Sequence, residues 1–192
     1  LPQAHGPATD GLLPFSVEPV PWYPDGFFCS GTHQPGRFLE YAAGAYFIQD
    51  AGSMLALRLL DVQPHEWIAD VCAAPGGKAF QILSRGGNLL LNDISKLRVD
   101  LLKTNLKRLN FKAEIISRDV LEMNISEKYD FIILDAPCSS LGTIRRNPEI
   151  FFKSKEPDLN KLIELQEKML EKASLLLKQN GIILYMVCSF LE

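Results

Sequence analysis

A short stretch near the middle of the chain, residues 67–78, limits the possible folds more than any other part of the sequence. It reads W-I-A-D-V-C-A-A-P-G-G-K. Trp67, Ile68 and Val71 give it the composition of a short buried strand, and Pro75-Gly76-Gly77 ends that strand in a turn where backbone can approach a ligand. A strand, a glycine turn and a helix in this order place free N–H groups at the carboxyl end of a sheet, where open α/β folds bind cofactors. The paired glycines are also compatible with a tight turn that binds nothing.

Strands and helices alternate after this stretch, which predicts an α/β fold with a Rossmann-like, doubly wound and mostly parallel sheet. The further strands are predicted at 88–91, 113–116, 129–134 and 182–187. The helix after Ser95 carries Leu97, Leu101, Leu102, Asn105, Leu106 and Leu109, with its basic residues mostly elsewhere on its surface. The last helix is expected to begin at Asp158, to end at Asn180-Gly181, and to place Leu159, Leu162, Ile163, Met169, Leu170, Ala173 and Leu177 on one face.

The composition divides the 192 residues into two parts. Residues 1–45 are rich in proline, glycine and aromatic residues without a helical period, and we expect a small loop-rich appendage there. Residues 46–192 form the predicted α/β core. The last predicted strand leaves the sheet unfinished, so we expect the core to be C-terminally incomplete and the chain to be a fragment.

Charged residues and cysteines collect where the predicted strands end. Asp70, Asp93, Asp119, Asp135 and Cys188 all lie at or just after a strand's carboxyl end. Because parallel strands end at the same edge of a sheet, these side chains are expected along one rim. Asp93 follows Asp70 by about twenty residues, where doubly wound folds place a carboxylate that binds a cofactor's ribose. Ser95 is the better cap for the next helix, which leaves Asp93 available for a ligand.

Two of the four cysteines, Cys138 and Cys188, follow the fourth and fifth predicted strands and are expected to face one cleft. A free thiol has a pKa near 8.5, so nucleophilic attack at neutral pH requires surroundings that favour the thiolate. Arg145, Arg146 and Lys78 are candidate cations for that purpose. The alternative is that each cysteine is an inert, small, buried residue. The absence of a C-x-x-C pair argues against a zinc site or a disulfide framework.

The net charge of −3 is unusual for a chain that binds nucleic acid, although basic residues form local clusters. These clusters are Lys103, Lys107, Arg108 and Lys112, then Arg145 and Arg146, then Lys153 and Lys155. Solvated surface charge explains each cluster equally well. No apolar run approaches the roughly 18 residues of a membrane helix, and the N-terminus has no secretory signal, so we expect a cytoplasmic protein without membrane contact. We also expect a monomer.

Several motifs in register resemble one known family. D-V-C-A-A-P-G-G-K at 70–78, D-A-P-C-S at 135–139 and Y-M-V-C-S at 185–189 are similar to the signature motifs of the Nol/Nop/Sun (RsmB-type) RNA cytosine carbon-5 methyltransferases. The resemblance extends from about Gly44 to the C-terminus, and it is specific because the motifs occur in the family's order. Its further matching residues are Ile48-Gln49-Asp50, Ser53, Asn92-Asp93, Asp119 and Arg145-Arg146-Asn147-Pro148.

The resemblance implies a class I methyltransferase fold, S-adenosylmethionine as cofactor and RNA as substrate, with ribosomal RNA favoured over transfer RNA. The residues it assigns to the methionine part of the cofactor are Cys72, Ala73, Ala74, Pro75, Gly76, Gly77 and Lys78. It further implies that Asp93 holds the ribose, that Asp119 lies near the adenine, and that Asp135 lies between cofactor and target base. It assigns Cys188 as the nucleophile and Cys138 to product release. Lys78 is also counted among the catalytic residues.

The chemistry explains why such a site would hold two thiols. Carbon-5 of cytosine is a poor nucleophile, so a thiolate first adds to carbon-6 and makes carbon-5 enamine-like. The residues alone leave open which thiol attacks, because DNA cytosine methyltransferases use a Pro-Cys nucleophile and Pro137-Cys138 has that form. Only the resemblance selects Cys188. The sequence departs from the family at Val187 and Ala79, where the family usually has threonine.

Two other functions remain compatible with the sequence. A catalytically weak or inactive RNA-binding or ribosome-assembly factor could retain the same cofactor fold, and Val187 and the acidic balance favour this alternative slightly. A nicotinamide-dependent oxidoreductase would account for Asp93, but it fits A-A-P-G-G less well and gives the two rim thiols no role.

Overall fold

The computed structural model of the chain describes residues 13–15, 17–30, 32–124, 129–152 and 156–190. Strands β1 (Val17–Pro19) and β2 (Phe27–Cys29) form an antiparallel hairpin. The short helices α1 (Leu39–Ala42) and α2 (Ala51–Ala56) then lead into the main sheet. The elements that follow are β3 (Trp67–Asp70), α3 (Gly77–Leu83), β4 (Asn88–Asn92), α4 (Lys96–Arg108), β5 (Glu114–Ile116), β6 (Tyr129–Asp135), α5 (Leu159–Leu176) and β7 (Leu177–Met186).

The main sheet is parallel, with its strands in the order β5-β4-β3-β6-β7. The chain builds outward from the central strand β3 through β4 to β5, then returns to the other side of β3 with β6. The order therefore reverses between β3 and β6, where Asp70 pairs with Ile133. Open α/β sheets bind ligands at the carboxyl ends of the strands at such a reversal. The predicted doubly wound parallel sheet is confirmed.

Both faces of the sheet are covered, which explains the nearly continuous apolar character of the central strands. On one face Leu91 and Ile133 are fully buried against residues of α3 and α4, including Phe80 and Leu102. On the other face Ile132 packs against α5, through residues such as Met169, Ala173 and Leu176. Each such large side chain contributes roughly 1.5–3 kcal/mol through burial.

The predicted boundary between the last helix and the last strand is wrong. Helix α5 ends at Leu176, and Asn180-Gly181 lies inside strand β7, at a register irregularity opposite Tyr129 and Phe131 of β6. Asn180 has a φ of 66°, and a Cβ on Gly181 would lie 3.1 Å from the backbone oxygen of Asp130. The Asn-Gly pair therefore forms a bulge where two strands approach closely, rather than a helix end.

The apolar faces that the sequence shows on the two long helices are wider than the faces that these helices bury. Leu97 and Leu101 on α4 are 84% and 51% exposed, and on α5 Ile163 is 49% exposed. The residues that the two helices do bury are Val99, Leu102, Asn105 and Leu106 on α4, and Met169, Ala173 and Leu176 on α5. On each helix fewer apolar residues are buried than the sequence places on the apolar face, because the helix contacts the sheet along one side only.

One residue of the predicted basic clusters has a structural role. The guanidinium of Arg108 donates to the backbone oxygens of Tyr41 at 2.6 Å and Tyr46 at 3.1 Å, and it lies 3.9 Å from the centre of the Tyr41 ring. Gly44 is held close by, because a Cβ there would lie 2.0 Å from the backbone oxygen of Arg108. Arg108 therefore joins α4 to the preceding segment. Lys153 and Lys155 lie outside the described residues.

Candidate functional site: a rim with a glycine turn and two thiols

The glycine turn after β3 is held open by contacts from α4. Gly76 has a φ of 111°, and its Cα is covered by the ring of Phe80. The Ala74–Pro75 peptide is cis. From α4, Arg98 donates to the backbone oxygen of Ala74 and Asn105 donates to that of Pro75 at 3.1 Å. These contacts satisfy two of the turn's carbonyl groups from the side of α4.

Asn92, the last residue of β4, forms hydrogen bonds with residues that follow β3 and β5. Its side-chain amide donates to the backbone oxygens of Val71 and Arg118, each at 3.0 Å, and its side-chain oxygen accepts from the Arg118 N–H at 3.0 Å. Asn92 is only 1% exposed, so these bonds are made away from water. They fix the positions of the neighbouring rim residues Asp93 and Asp119.

The two predicted cofactor carboxylates have different surroundings. Asp93 is 2% exposed; one of its oxygens accepts from the Ser95 N–H at 3.0 Å, and the other, Oδ2, has no hydrogen bond and lies 3.4 Å from the Arg98 guanidinium. Ser95 caps α4 by accepting from the Arg98 N–H, as predicted. Asp119 accepts from the Leu121 N–H at 2.9 Å and so caps a short 3₁₀ turn.

A cavity of about 210 Å³ opens over the glycine turn. Its lining includes Lys78 and Asp135, whose Nζ and Oδ2 atoms are 2.5 Å apart. The other lining residues are Phe47, Ile48, Gln49, Asp50, Ser53, Asp70, Cys72, Ala73, Ala74, Pro75, Gly77 and Arg146. A second cavity of about 760 Å³ shares Phe47, Ile48, Gln49, Asp50 and Gly77 with it.

Asp70 is a buried carboxyl group in the wall of the smaller cavity. Burial raises the pKa of Asp70 to about 7. The charge of Lys78 opposes this shift, and the charge of Asp135 adds to it. The Oδ1 atom of Asp70 has no hydrogen-bond partner. Burial, together with the nearby carboxylates Asp70, Asp93 and Asp135, raises the pKa of Cys72 to about 12. Cys72 is therefore a neutral thiol at physiological pH and a poor nucleophile.

The structure brings Cys138 and Cys188 into direct contact. They follow the neighbouring strands β6 and β7, and their sulfur atoms are 3.0 Å apart. The Cys188 N–H donates to the Cys138 sulfur at 3.3 Å, and the Ala136 N–H donates to the Met186 oxygen at 2.9 Å. Both thiols are half-buried and free. The expectation that they face one cleft agrees with this geometry.

The predicted cations do not contact the thiols. Lys78 pairs with Asp135, and Arg146 lies 3.7 Å from Asp50. Arg145 lines the larger cavity. Desolvation by burial is the largest effect on the pKa of Cys188 and raises it, and Cys138 raises it further, whereas a hydrogen bond with Ser140 lowers it.

Three residues that shape the site were given no site role from the sequence. Arg98 and Asn105 support the turn, and Ser140 contacts the sulfur of Cys188, whereas Asn92 was named only as a residue that matches the family. Asn105 left a detectable signal, because it is a polar residue within an otherwise apolar helix face. Arg98 is two helical turns before it and on the same side.

The described part of the chain contains neither a metal-binding cluster nor a membrane-spanning helix. No group of three or more His, Cys, Asp or Glu side chains among these residues is arranged to hold a metal ion. None of the helices formed by them combines the length and the apolar composition that a membrane span needs.

Comparison with known proteins identifies the family. Residues 57–192 match the family described as 16S rRNA methyltransferase RsmB/F, and residues 4–51 match the N-terminal domain of 16S rRNA methyltransferase RsmF. Ribosomal RNA small subunit methyltransferase B of Shewanella oneidensis is 40% identical over 80% of this chain and 36% of its own length. The protein of that name from Yersinia pseudotuberculosis is 36% identical over 92% of this chain and 42% of its own length.

Solved structures agree with this assignment. A methyltransferase homolog protein from Pyrococcus horikoshii superposes with a TM-score of 0.78 at 31% identity, over 92% of this chain and 57% of its own. NSun6 from Pyrococcus horikoshii with SFG gives 0.70 at 26% identity, over 79% of this chain and 40% of its own. The chain thus spans about 40% of the curated relatives' length. S-adenosylmethionine is the cofactor of these methyltransferases. The resemblance seen in the sequence is confirmed, and the chain belongs to the RsmB/F family of 16S rRNA methyltransferases.

Proposed function

We propose that this chain is the catalytic part of an S-adenosylmethionine-dependent enzyme that methylates carbon-5 of a cytosine in small-subunit ribosomal RNA. The single observation that carries the proposal is the contact between the Cys138 and Cys188 sulfurs, 3.0 Å apart, at the same rim as the Lys78–Asp135 pair. The relatives' names supply the class of RNA. The cytosine chemistry and the residue roles are inferred from the geometry and the family resemblance.

The rim residues suit the cofactor. The buried Asp93 Oδ2 atom lacks a hydrogen bond and could accept from a ribose hydroxyl. Of the turn's residues 72–78, all except Gly76 line the smaller cavity, and at Gly76 a side chain would displace the Phe80 ring that supports the turn. We assign Cys72, Ala73, Ala74, Pro75, Gly76, Gly77 and Lys78 to the methionine part. Asp119 is assigned to the adenine end and Asp135 to the boundary with the target base. When bound, the cofactor supplies an electrophilic methyl group.

Cys188 is assigned as the nucleophile, attacking as its thiolate. Its sulfur forms a bond to carbon-6 of cytosine, and the electron pair of the 5,6 double bond moves toward carbon-5 and ring nitrogen 3. Asp135 is paired with Lys78 at the cavity wall, and the proton shared by this pair can pass through Asp135 to nitrogen 3 as negative charge develops there, returning to the pair when the ring is restored. Carbon-5 is then nucleophilic enough to accept a methyl group.

Cys138 is assigned to product release. After methylation carbon-5 still carries a proton, and a base must remove it before the bond between carbon-6 and Cys188 can break. The Cys138 sulfur touches the Cys188 sulfur and accepts a hydrogen bond from the Cys188 N–H. It is therefore placed to accept that proton, after which the Cys188 thiolate leaves and the aromatic ring is restored. The base must leave its stack to reach this rim, which costs least in single-stranded or irregular RNA.

The test is transfer of a labelled methyl group to small-subunit ribosomal RNA by the chain and its cysteine variants. We expect Cys188→Ala to abolish transfer and Cys138→Ala to slow turnover while a protein–RNA adduct accumulates. Cys29→Ala is the matched control, because Cys29 lies on β2 and not at the rim. RNA carrying 5-fluorocytosine should trap the wild-type chain covalently, since carbon-5 then has no proton to lose. Transfer that survives Cys188→Ala would contradict the proposal, and no transfer by any variant would favour the non-catalytic RNA-binding alternative.

A further inference from the structure

Ser140 has an unfavourable backbone conformation beside the thiol pair. Its φ of 60° and ψ of 12° are left-handed, a conformation that costs a residue with a side chain on the order of 1 kcal/mol. Its backbone oxygen accepts from the Thr143 N–H at 2.9 Å and from the Thr143 hydroxyl at 2.8 Å. Glycine would adopt this conformation without that cost. A residue with a side chain thus occupies a position whose backbone conformation favours glycine.

The loop that contains Ser140 is fastened to the Cys188 backbone. The Gly142 N–H donates to the Cys188 backbone oxygen at 3.0 Å, and a Cβ on Gly142 would lie 3.1 Å from that oxygen. This close approach places the Ser140 hydroxyl oxygen 3.5 Å from the Cys188 sulfur, which donates its thiol proton to it. This distance is within the hydrogen-bonding range of a sulfur atom, whose radius is larger than that of oxygen.

The neighbouring hydroxyl groups are directed elsewhere. Those of Ser139 and Ser189 hydrogen bond to each other at 2.8 Å. Val187, which precedes the thiol, has no hydroxyl. Among the hydrogen bonds of the described residues, the hydroxyl that reaches the Cys188 sulfur is that of Ser140.

We propose that Ser140 is a positioning residue whose hydroxyl donates a hydrogen bond to the Cys188 sulfur once the thiol has ionised. A hydroxyl group can rotate, so the same oxygen that accepts from the neutral thiol can donate its own proton to the thiolate. Hydrogen bonds to charged groups are about twice as strong as those between neutral groups, so the contact favours the charged form. The hydrogen bond with Ser140 lowers the pKa of Cys188, which agrees with a contact that favours the thiolate. This inference rests on the proposed role of Cys188 as nucleophile.

The test is the pH dependence of alkylation of Cys188 by iodoacetamide, followed peptide by peptide by mass spectrometry so that each cysteine is resolved. Ser140→Ala and Ser140→Gly should move the midpoint for Cys188 to higher pH and slow its alkylation at pH 7.5 by roughly 3- to 10-fold. Ser140→Thr keeps the hydroxyl, so its Cys188 midpoint should stay near wild type, although a β-branched side chain at this positive φ should lower its stability. Ser139→Ala removes the adjacent hydroxyl, which does not bond to Cys188, and should leave the midpoint unchanged.

Ser140→Gly separates this role from a structural one. Glycine relieves the left-handed strain, so this variant should unfold at the same temperature as wild type or higher while its Cys188 reacts more slowly. An unchanged midpoint in Ser140→Gly would overturn the proposal for Ser140. If the midpoint moves as expected but Cys188→Ala still transfers methyl groups, the role of Ser140 in ionising the thiol stands and the proposed nucleophile is wrong.

Discussion

At the scale of single residues, the glycine turn depends on the absence of a side chain at Gly76. Its φ of 111° is unfavourable for any residue with a Cβ, and a Cβ would lie 2.1 Å from the tip of the Phe80 ring. Phe80 is 4% exposed and packs at 4.8 Å, edge to face, on Phe47, so it has little room to move. Glycine is therefore required at this position for two reasons: it allows the positive φ, and it leaves room for the Phe80 ring.

Gly76→Ala should destabilise the fold by roughly 2–4 kcal/mol, because it combines backbone strain with displacement of a core ring. Gly86→Ala is the matched control. Gly86 also has a positive φ, 85°, but no atom lies within 4 Å of the point that a Cβ would occupy, so it should cost only about 1 kcal/mol. The measurement is urea-induced unfolding of both variants. Equal losses would show that Phe80 moves aside freely and that the ring contact does not hold the turn.

At the scale of elements, helix α4 serves two parts of the molecule. Its Arg98 and Asn105 hold the carbonyl groups of the glycine turn. Its last residue, Arg108, binds the backbone of Tyr41 and Tyr46 in the segment that precedes the core. Helix α4 therefore connects the glycine turn to the segment that contains Tyr41 and Tyr46.

Arg108→Met should loosen the N-terminal segment while leaving the core folded. Two hydrogen bonds and the contact with the Tyr41 ring are lost, a loss of about 2–4 kcal/mol in local stability. We expect faster proteolytic cleavage within residues 35–47, measured by mass spectrometry after brief digestion. Lys107→Met, on the neighbouring exposed lysine, removes the same charge without these contacts and should be cut at the wild-type rate. Unchanged cleavage in Arg108→Met would show that the segment is held by other contacts.

At the scale of the whole molecule, the buried carboxyl of Asp70 makes stability depend on pH. Its folded pKa of about 7 lies above the value of about 3.9 for an unfolded aspartate. Between these values the folded state holds a proton that the unfolded state has lost, so the stability that Asp70 contributes is present at low pH and falls as pH rises. The slope is at most about 1.4 kcal/mol per pH unit, and it ends once pH exceeds the folded pKa.

Asp70→Asn should remove this dependence, because the amide does not ionise. The difference in unfolding free energy, wild type minus variant, should decline from pH 4 to pH 7 and then level off. Urea unfolding at each pH measures it, and Asp61→Asn, an exposed aspartate, is the control that should show no such decline. A difference that rises with pH would show that Asp70 ionises more readily in the folded state.

The proposed division of the chain near residue 45 belongs to the same scale and stays a prediction. Arg108 bonds to residues on both sides of it, Tyr41 and Tyr46. The two parts are therefore in contact through α4 rather than joined by a free linker.

The sequence by itself determined the order of strands and helices, the parallel sheet and the residues at the rim. Apolar runs, glycines and caps are local signals, and the strand ends of a parallel sheet share one edge whatever the details of packing. Asp93, Asp135, Cys138 and Cys188 could therefore be located in advance. The bulge at Asn180-Gly181 could not, because a helix end and a strand bulge use the same two residues.

Only the tertiary structure decided which of these groups touch. The adjacency of β6 and β7 brings two sulfurs fifty positions apart in the chain to 3.0 Å, and packing against carboxylates assigns Lys78 and Arg146 to Asp135 and Asp50 rather than to the thiols. The contact of Ser140 with Cys188 likewise depends on a loop conformation that no local pattern encodes. The physical reason is that hydrogen bonds and ionisation respond to distances of a few ångströms, which are set by the packing of distant segments.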